Sequence, residues 1–183
     1  GSGSCNGRNR RNRNGGSKLS SYLQNFKGKV EEIGAVLGTG SEQKNLKDRY
    51  QNLIDKLVSY LLRSTTYPNA RDIVPLLTDL ADVRAALAAQ LPPYPPTTMS
   101  TDRKTEIPPK QEQIQYYQLK LKSHVSREND LENNIFQLFK LIWGQLSEAL
   151  QNRIMRESDF KARKAASDVA WLLRTIKKLA VNV

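Results

Sequence analysis

Ile114, Tyr117, Leu121, His124, Glu128, Leu131, Ile135, Leu138 and Ile142 follow one another in steps of three and four. That spacing puts them along one side of a continuous α-helix, as a heptad seam with two polar interruptions. It predicts a helix from about Gln111 to Trp143, roughly 50 Å long at 1.5 Å per residue. Gly144 then weakens or bends the helix, because glycine costs about 1 kcal/mol in a helix interior relative to alanine. A further helix continues through Leu146, Leu150 and Ile154 to about Arg156. The last one starts near Ser158 or at Ser167-Asp168 and carries Val169, Leu172, Leu173, Ile176 and Leu179.

Upstream, Thr39-Gly-Ser-Glu42 has the spacing of a capping box, and Leu46, Tyr50, Leu53, Ile54, Leu57, Val58 and Leu61 recur at helical steps. An amphipathic helix from about Glu42 to Arg63 is expected, stopping before Tyr67-Pro68 because proline pushes the preceding residue out of helical dihedrals. A second helix fits Ile73 to Gln90, with Asp72 as its cap, Pro75 in the first turn, and Val74, Leu77, Leu80, Leu87 and Leu91 on one side. These helices, with Leu19 to Phe26 against them, form an N-terminal unit over residues 19–91. No segment alternates with period two between hairpin turns, so the fold class is all-α.

Six of the eight prolines, at positions 92, 93, 95, 96, 108 and 109, fall in one short polar stretch. Residues 92–109 read as an extended linker to a C-terminal helical unit over residues 110–183. The other reading is an ordered strap across the surface, anchored by Tyr94 and Ile107. Trp143 and Trp171 read as core, as large aromatics on helix faces generally are. In the one close aromatic pair, Tyr117 lies on the apolar seam with Tyr116 beside it, which also points to packing.

Charge separates a third region. The 183 residues hold 29 Lys and Arg against 18 Asp and Glu, a formal balance of +11. Arg8, Arg10, Arg11, Arg13 and Lys18 lie in the first eighteen residues, which contain no acid and no aliphatic or aromatic side chain. With nothing to bury, residues 1–18 are expected to be disordered when free, and they hold +5 against +6 for the remainder. Guanidinium groups bind phosphate by charge and paired hydrogen bonds, so these five residues are the candidate RNA-binding group. The plainer reading is a solvated, solubilising tail, and the opening Gly-Ser-Gly-Ser also reads as linker sequence.

Most enzyme classes lose their footing. One cysteine, Cys5, and one histidine, His124, allow neither an internal disulfide nor a Cys/His zinc site. His124 has Glu128 four residues on, a structural pair worth a few tenths of a kcal/mol. No nucleophile–base, phosphate-loop or zincin motif appears. No catalytic, cofactor or metal site and no small-molecule substrate are expected. No apolar run approaches the roughly 18 to 20 residues needed to span a bilayer, and the basic N-terminus lacks the apolar centre of a signal peptide. No membrane contact is expected, and the location is expected to be inside the cell.

The stretch Glu132 to Ile154, with Trp143-Gly144-Gln145-Leu146-Ser147 at its centre, resembles Gag-like proteins of copia-type LTR retrotransposons. The similarity continues in Asp159-Phe160, in Asp168-Val-Ala-Trp-Leu-Leu-Arg-Thr-Ile-Lys177, and more faintly in Phe26-Lys-Gly-Lys29. Leu146 stands where such sequences usually have cysteine. The resemblance implies an all-helical capsid-type protein that self-assembles into cytoplasmic particles around single-stranded RNA, with no activity of its own. It makes Leu138, Ile142, Trp143, Gly144, Gln145 and Trp171 core or assembly residues. The zinc knuckle often found downstream in Gag proteins is not in this sequence; either it follows in a longer chain or the arginine-rich tail attracts the RNA. The alternative is a monomeric helical nucleic-acid-binding module or adaptor that does not assemble.

Overall fold

The computed structural model describes residues 28–182, in which the helical periodicities become seven α-helices and one small hairpin. Helix α1 (Leu46–Arg63) buries Tyr50, Leu53, Ile54, Leu57 and Leu61. It starts later than the capping-box spacing predicts. Thr39 and Glu42 do pair, but the N–H groups of Glu42 and Gln43 both donate to the Thr39 carbonyl and close a separate turn. Asn45, left-handed at φ 55°, stands between that turn and the helix, a conformation asparagine tolerates better than most residues.

The single helix expected over Ile73 to Gln90 is two helices, α2 (Val74–Asp79) and α3 (Val83–Ala88). Leu80 turns left-handed at φ 51°, and the Asp82 carboxylate accepts the Ala85 N–H at 3.0 Å as the cap of α3. A short acid inside a helical stretch competes for backbone donors, and here it wins. Leu76, Leu77, Val83 and Leu87 all reach the core across the break. Asp72 is not the cap; it ends a 3₁₀ turn (Ala70–Asp72), and its carboxylate holds Arg127 at 2.6 and 3.1 Å.

Residues 92–109 are structured. Strands β1 (Thr98–Met99) and β2 (Glu106–Ile107) pair antiparallel, with Thr98 opposite Ile107. Ser100 and Asp102 bond each other and the backbone of the intervening turn. Two-residue strands are too short to show alternation, and with this hairpin as their one named sheet the described residues are mostly helical, consistent with the all-α class. The Tyr94 ring meets Tyr117 edge-on at 5.1 Å, and both Tyr94 and Ile107 are exposed.

Helix α4 (Gln111–Gly144) has the predicted extent. Its second half buries Leu131, Ile135, Leu138, Phe139, Leu141 and Ile142, whereas no residue before His124 is buried. Its first half therefore stands off the core. Helix α5 (Glu148–Met155) is capped by Ser147, and the final helix is divided into α6 (Phe160–Ala165) and α7 (Val169–Ile176) by Ser167 at φ 50°. Asp168 caps α7 through the Trp171 N–H at 3.0 Å. A five-residue π-helical turn (Lys177–Val181) follows α7.

One core joins the two halves. Leu37, Leu57, Leu61, Ile73, Leu138, Ile142, Leu150, Leu172 and Ile176 are all without exposure and belong to a single apolar cluster. Helix α7 packs on both α2 and α4, and α3 packs on α4. The division expected at the prolines is thus not a division of the core. No helix among the described residues is long and apolar enough to cross a membrane. Residues 1–27, which include the arginine-rich tail and the Leu19 to Phe26 segment, lie outside the described residues.

Candidate functional site

The Trp143–Ser147 motif forms the corner between α4 and α5, and its geometry follows from its smallest member. A Cβ on Gly144 would stand 2.5 Å from the Gly28 carbonyl oxygen, so only glycine admits the incoming N-terminal segment this closely. That segment then runs along the corner. Gln145, without exposure, accepts the Val30 N–H at 2.7 Å through Oε1 and donates from Nε2 to the Ala35 carbonyl at 2.6 Å. Its main-chain carbonyl accepts the Leu37 N–H, and the Ser147 N–H donates to the Leu37 carbonyl, both at 2.9 Å. Leu37 and Leu146 thus form a parallel bridge. Ser147 Oγ donates to Glu42 Oε2 at 2.5 Å and accepts the Leu150 N–H at 3.2 Å.

The start of the described residues and the α4–α5 corner therefore lie against one another. Gly28 touches Gly144, although the residues are 116 positions apart in the chain. Sequence reading gave no sign of this pairing, because Gln145 bonds backbone groups rather than a complementary side chain.

The aromatic members gather beside the corner. Trp143 stacks on Phe160 with centroids 5.5 Å apart and ring planes 30° apart, and Phe160 meets Trp171 at 6.4 Å. Both tryptophans are half-buried and Phe160 is buried. Of the residues given a core or assembly role, Leu138, Ile142, Gly144 and Gln145 lie inside this single chain, and Trp143 and Trp171 form its edge. Phe160, which ties the tryptophans together, was not legible as a contact from helical spacing alone.

Polar bonds then fasten α4 to the N-terminal half. Arg84 holds Glu132 through paired bonds of 2.6 and 3.0 Å, which raise the guanidinium and lower the carboxyl from their ordinary values. Arg127 spans Asp72 and Gln90, and the hydrogen bond to Asp72 raises it too. Asn134 donates to the Pro68 carbonyl at 2.8 Å. His124, only 4% exposed, has Nε2 2.5 Å from Glu128 Oε1, the expected i+4 pair. Among the described residues no group of three or more His, Cys, Asp or Glu side chains is placed to share a metal ion.

The candidate RNA-binding residues Arg8, Arg10, Arg11, Arg13 and Lys18 lie outside the described residues. Tyr117 packs on Tyr94 as expected, but Tyr116 does not pack; it is 61% exposed with Lys120 Nζ 4.5 Å from its ring centre. Compared with models of protein families, with characterised proteins and with solved structures, the chain gives no match.

Proposed function

We propose that the chain is a Gag-like capsid-type protein of the copia-type retrotransposon class, which assembles with copies of itself and packages single-stranded RNA through non-specific electrostatic contacts. The class is carried by the motif Trp143-Gly144-Gln145-Leu146-Ser147 followed by Asp168 to Lys177, in the order found there, and the assembly by the first half of α4, which has no buried side chain before His124. No reaction is assigned to the chain. The five basic residues of the tail attract phosphate, and the balance of +11 favours RNA. The first half of α4 and its hairpin supply the assembly contact, with Tyr116 and Leu119 61% and 69% exposed. In this reading the particles are cytoplasmic.

Light scattering with negative-stain microscopy, at low and moderate salt and with and without single-stranded RNA, tests it. Closed particles or rings, lost in a Tyr116→Ala/Leu119→Glu variant that melts like the wild type, are expected. A monodisperse monomer at high concentration, with or without RNA, overturns the assembly reading. Were that monomer to bind RNA in proportion to its tail, the chain would be an adaptor module instead.

A further inference from the structure

Charge is distributed unevenly over the folded part. Residues 28–152 carry 15 basic and 15 acidic side chains and so no net charge. From Arg153 to Lys178 there are eight basic side chains against three acids, a balance of 8 − 3 = +5. The full excess of residues 28–182 is held in 26 consecutive positions. Two of the three acids there are already engaged, Glu157 with Lys178 at 3.1 Å and Asp168 with Arg163 at 2.8 Å. Arg153, Arg156, Lys161 and Lys164 are exposed and form no ion pair among the described residues.

These four sit on α5, its C-cap and α6, neighbouring helices that pack together. Within each pair the residues are three apart, which puts both on one side of the turn. Cations at a helix C-terminus offset the helix dipole, but Lys161 lies in the first turn of α6, where a cation gains nothing from it. Besides its cations α6 exposes Ala162 and Ala165, small side chains that let a phosphate backbone approach. A membrane-surface helix would carry several exposed Trp, Phe or Leu there, whereas Phe160 is buried and Met155, 45% exposed, is a single large apolar side chain among these cations.

We infer that Arg153, Arg156, Lys161 and Lys164 form a second RNA contact surface on the folded body, which binds backbone phosphates without reading sequence. The inference rests on the proposed RNA partner and adds a site to it. Residues 1–27 join the body at Gly28, packed on Gly144 at the corner that leads into α5.

The test uses the full chain and a labelled oligouridine, titrated over a salt series. An Arg153→Gln/Arg156→Gln/Lys161→Gln/Lys164→Gln variant is compared with Lys44→Gln/Lys47→Gln/Lys56→Gln/Arg71→Gln, which removes the same charge from the balanced region. Each lost phosphate contact flattens the slope of log affinity against log salt by about 0.7, so the first variant flattens it by about 2.8 and the control by less than about 1. Equal slopes for the two variants, with wild-type binding intact, overturn the second surface and leave the tail reading standing. No binding by the wild type overturns both. Sedimentation of the wild type with phosphatidylserine vesicles but not with oligouridine replaces the RNA by an anionic membrane and also overturns the inference.

Discussion

Replacing Gln145 by alanine isolates what the corner contributes to the fold. Truncation strands the Ala35 carbonyl, whose residue is 9% exposed, at a cost of about 1–3 kcal/mol for an unpaired buried acceptor. The Val30 N–H is only part-buried, so water replaces some of its lost bond and the cost there is about 1 kcal/mol. The total is about 2–4 kcal/mol, a large share of the 5–15 kcal/mol that holds a typical domain folded. The damage should be local. Both Leu37 bonds run to main-chain atoms of Gln145 and Ser147, which the substitution leaves in place, and the Leu37 side chain is without exposure. Urea unfolding should show the loss at an unchanged m-value. Amide exchange should speed up far more at Val30 than at Leu37. Gln145→Glu should cost at least as much as alanine, because it keeps the acceptor for Val30 but buries a carboxylate against the Ala35 carbonyl. A loss below about 0.5 kcal/mol, or equal acceleration at Val30 and Leu37, would refute the assignment of the segment's anchorage to this amide.

Gly144→Ala should destabilise by about 1–3 kcal/mol despite alanine's better helix propensity, since the new Cβ meets backbone that must move; a more stable variant in thermal melts would show that Gly28 yields freely. Asp168→Ala removes the α7 cap and should cost about 1 kcal/mol or more, whereas Glu132→Gln breaks a pair whose side chains are 55% and 56% exposed and should cost less than about 1 kcal/mol; parallel denaturation curves give the ranking. Burial pushes the Tyr50 and Tyr67 phenols up from 10.0 to about 12. Their raised values mean that the stability they confer is full below pH 10 and is lost as pH rises through 12. Unfolding by circular dichroism should follow phenolate absorbance across that window, and Tyr50→Phe with Tyr67→Phe should shift it upward.

Elements that bury one face of a long helix were legible in the sequence. The steps of three and four from Leu46 to Leu61 and from Leu131 to Ile142 give α1 and the core half of α4, because those residues do line one buried side. The break at Leu80 to Asp82 was not legible, since Leu77, Leu80 and Leu87 keep helical spacing across it and only the cap chemistry of Asp82 decides otherwise. The single core was hidden for a related reason. Periodicity tells which side of a helix is buried and not which helix covers it, so a proline-rich stretch looked like a boundary. Gly144 was read as a weak point in a helix, whereas its requirement comes from Gly28. The role of Gln145 left no trace, because its partners are main-chain atoms 110 and 115 residues away.

The corner also limits what its own motif says about function. Gly144, Gln145, Leu146 and Ser147 are all buried and spend their bonds on the N-terminal segment, Glu42 and the start of α5. A motif whose side chains point inward reports a fold, and an assembling capsid protein and a monomeric adaptor would need that fold equally. The two differ on the surface. An isolated helix of about a dozen residues is marginal in water, yet the first half of α4 extends that far without one buried side chain before His124, touched by Tyr94 and leaving Leu119 open to solvent. Among the described residues, no core contact requires this extension. A contact with a second copy would bury it, which is why the arm, rather than the motif, separates the two readings.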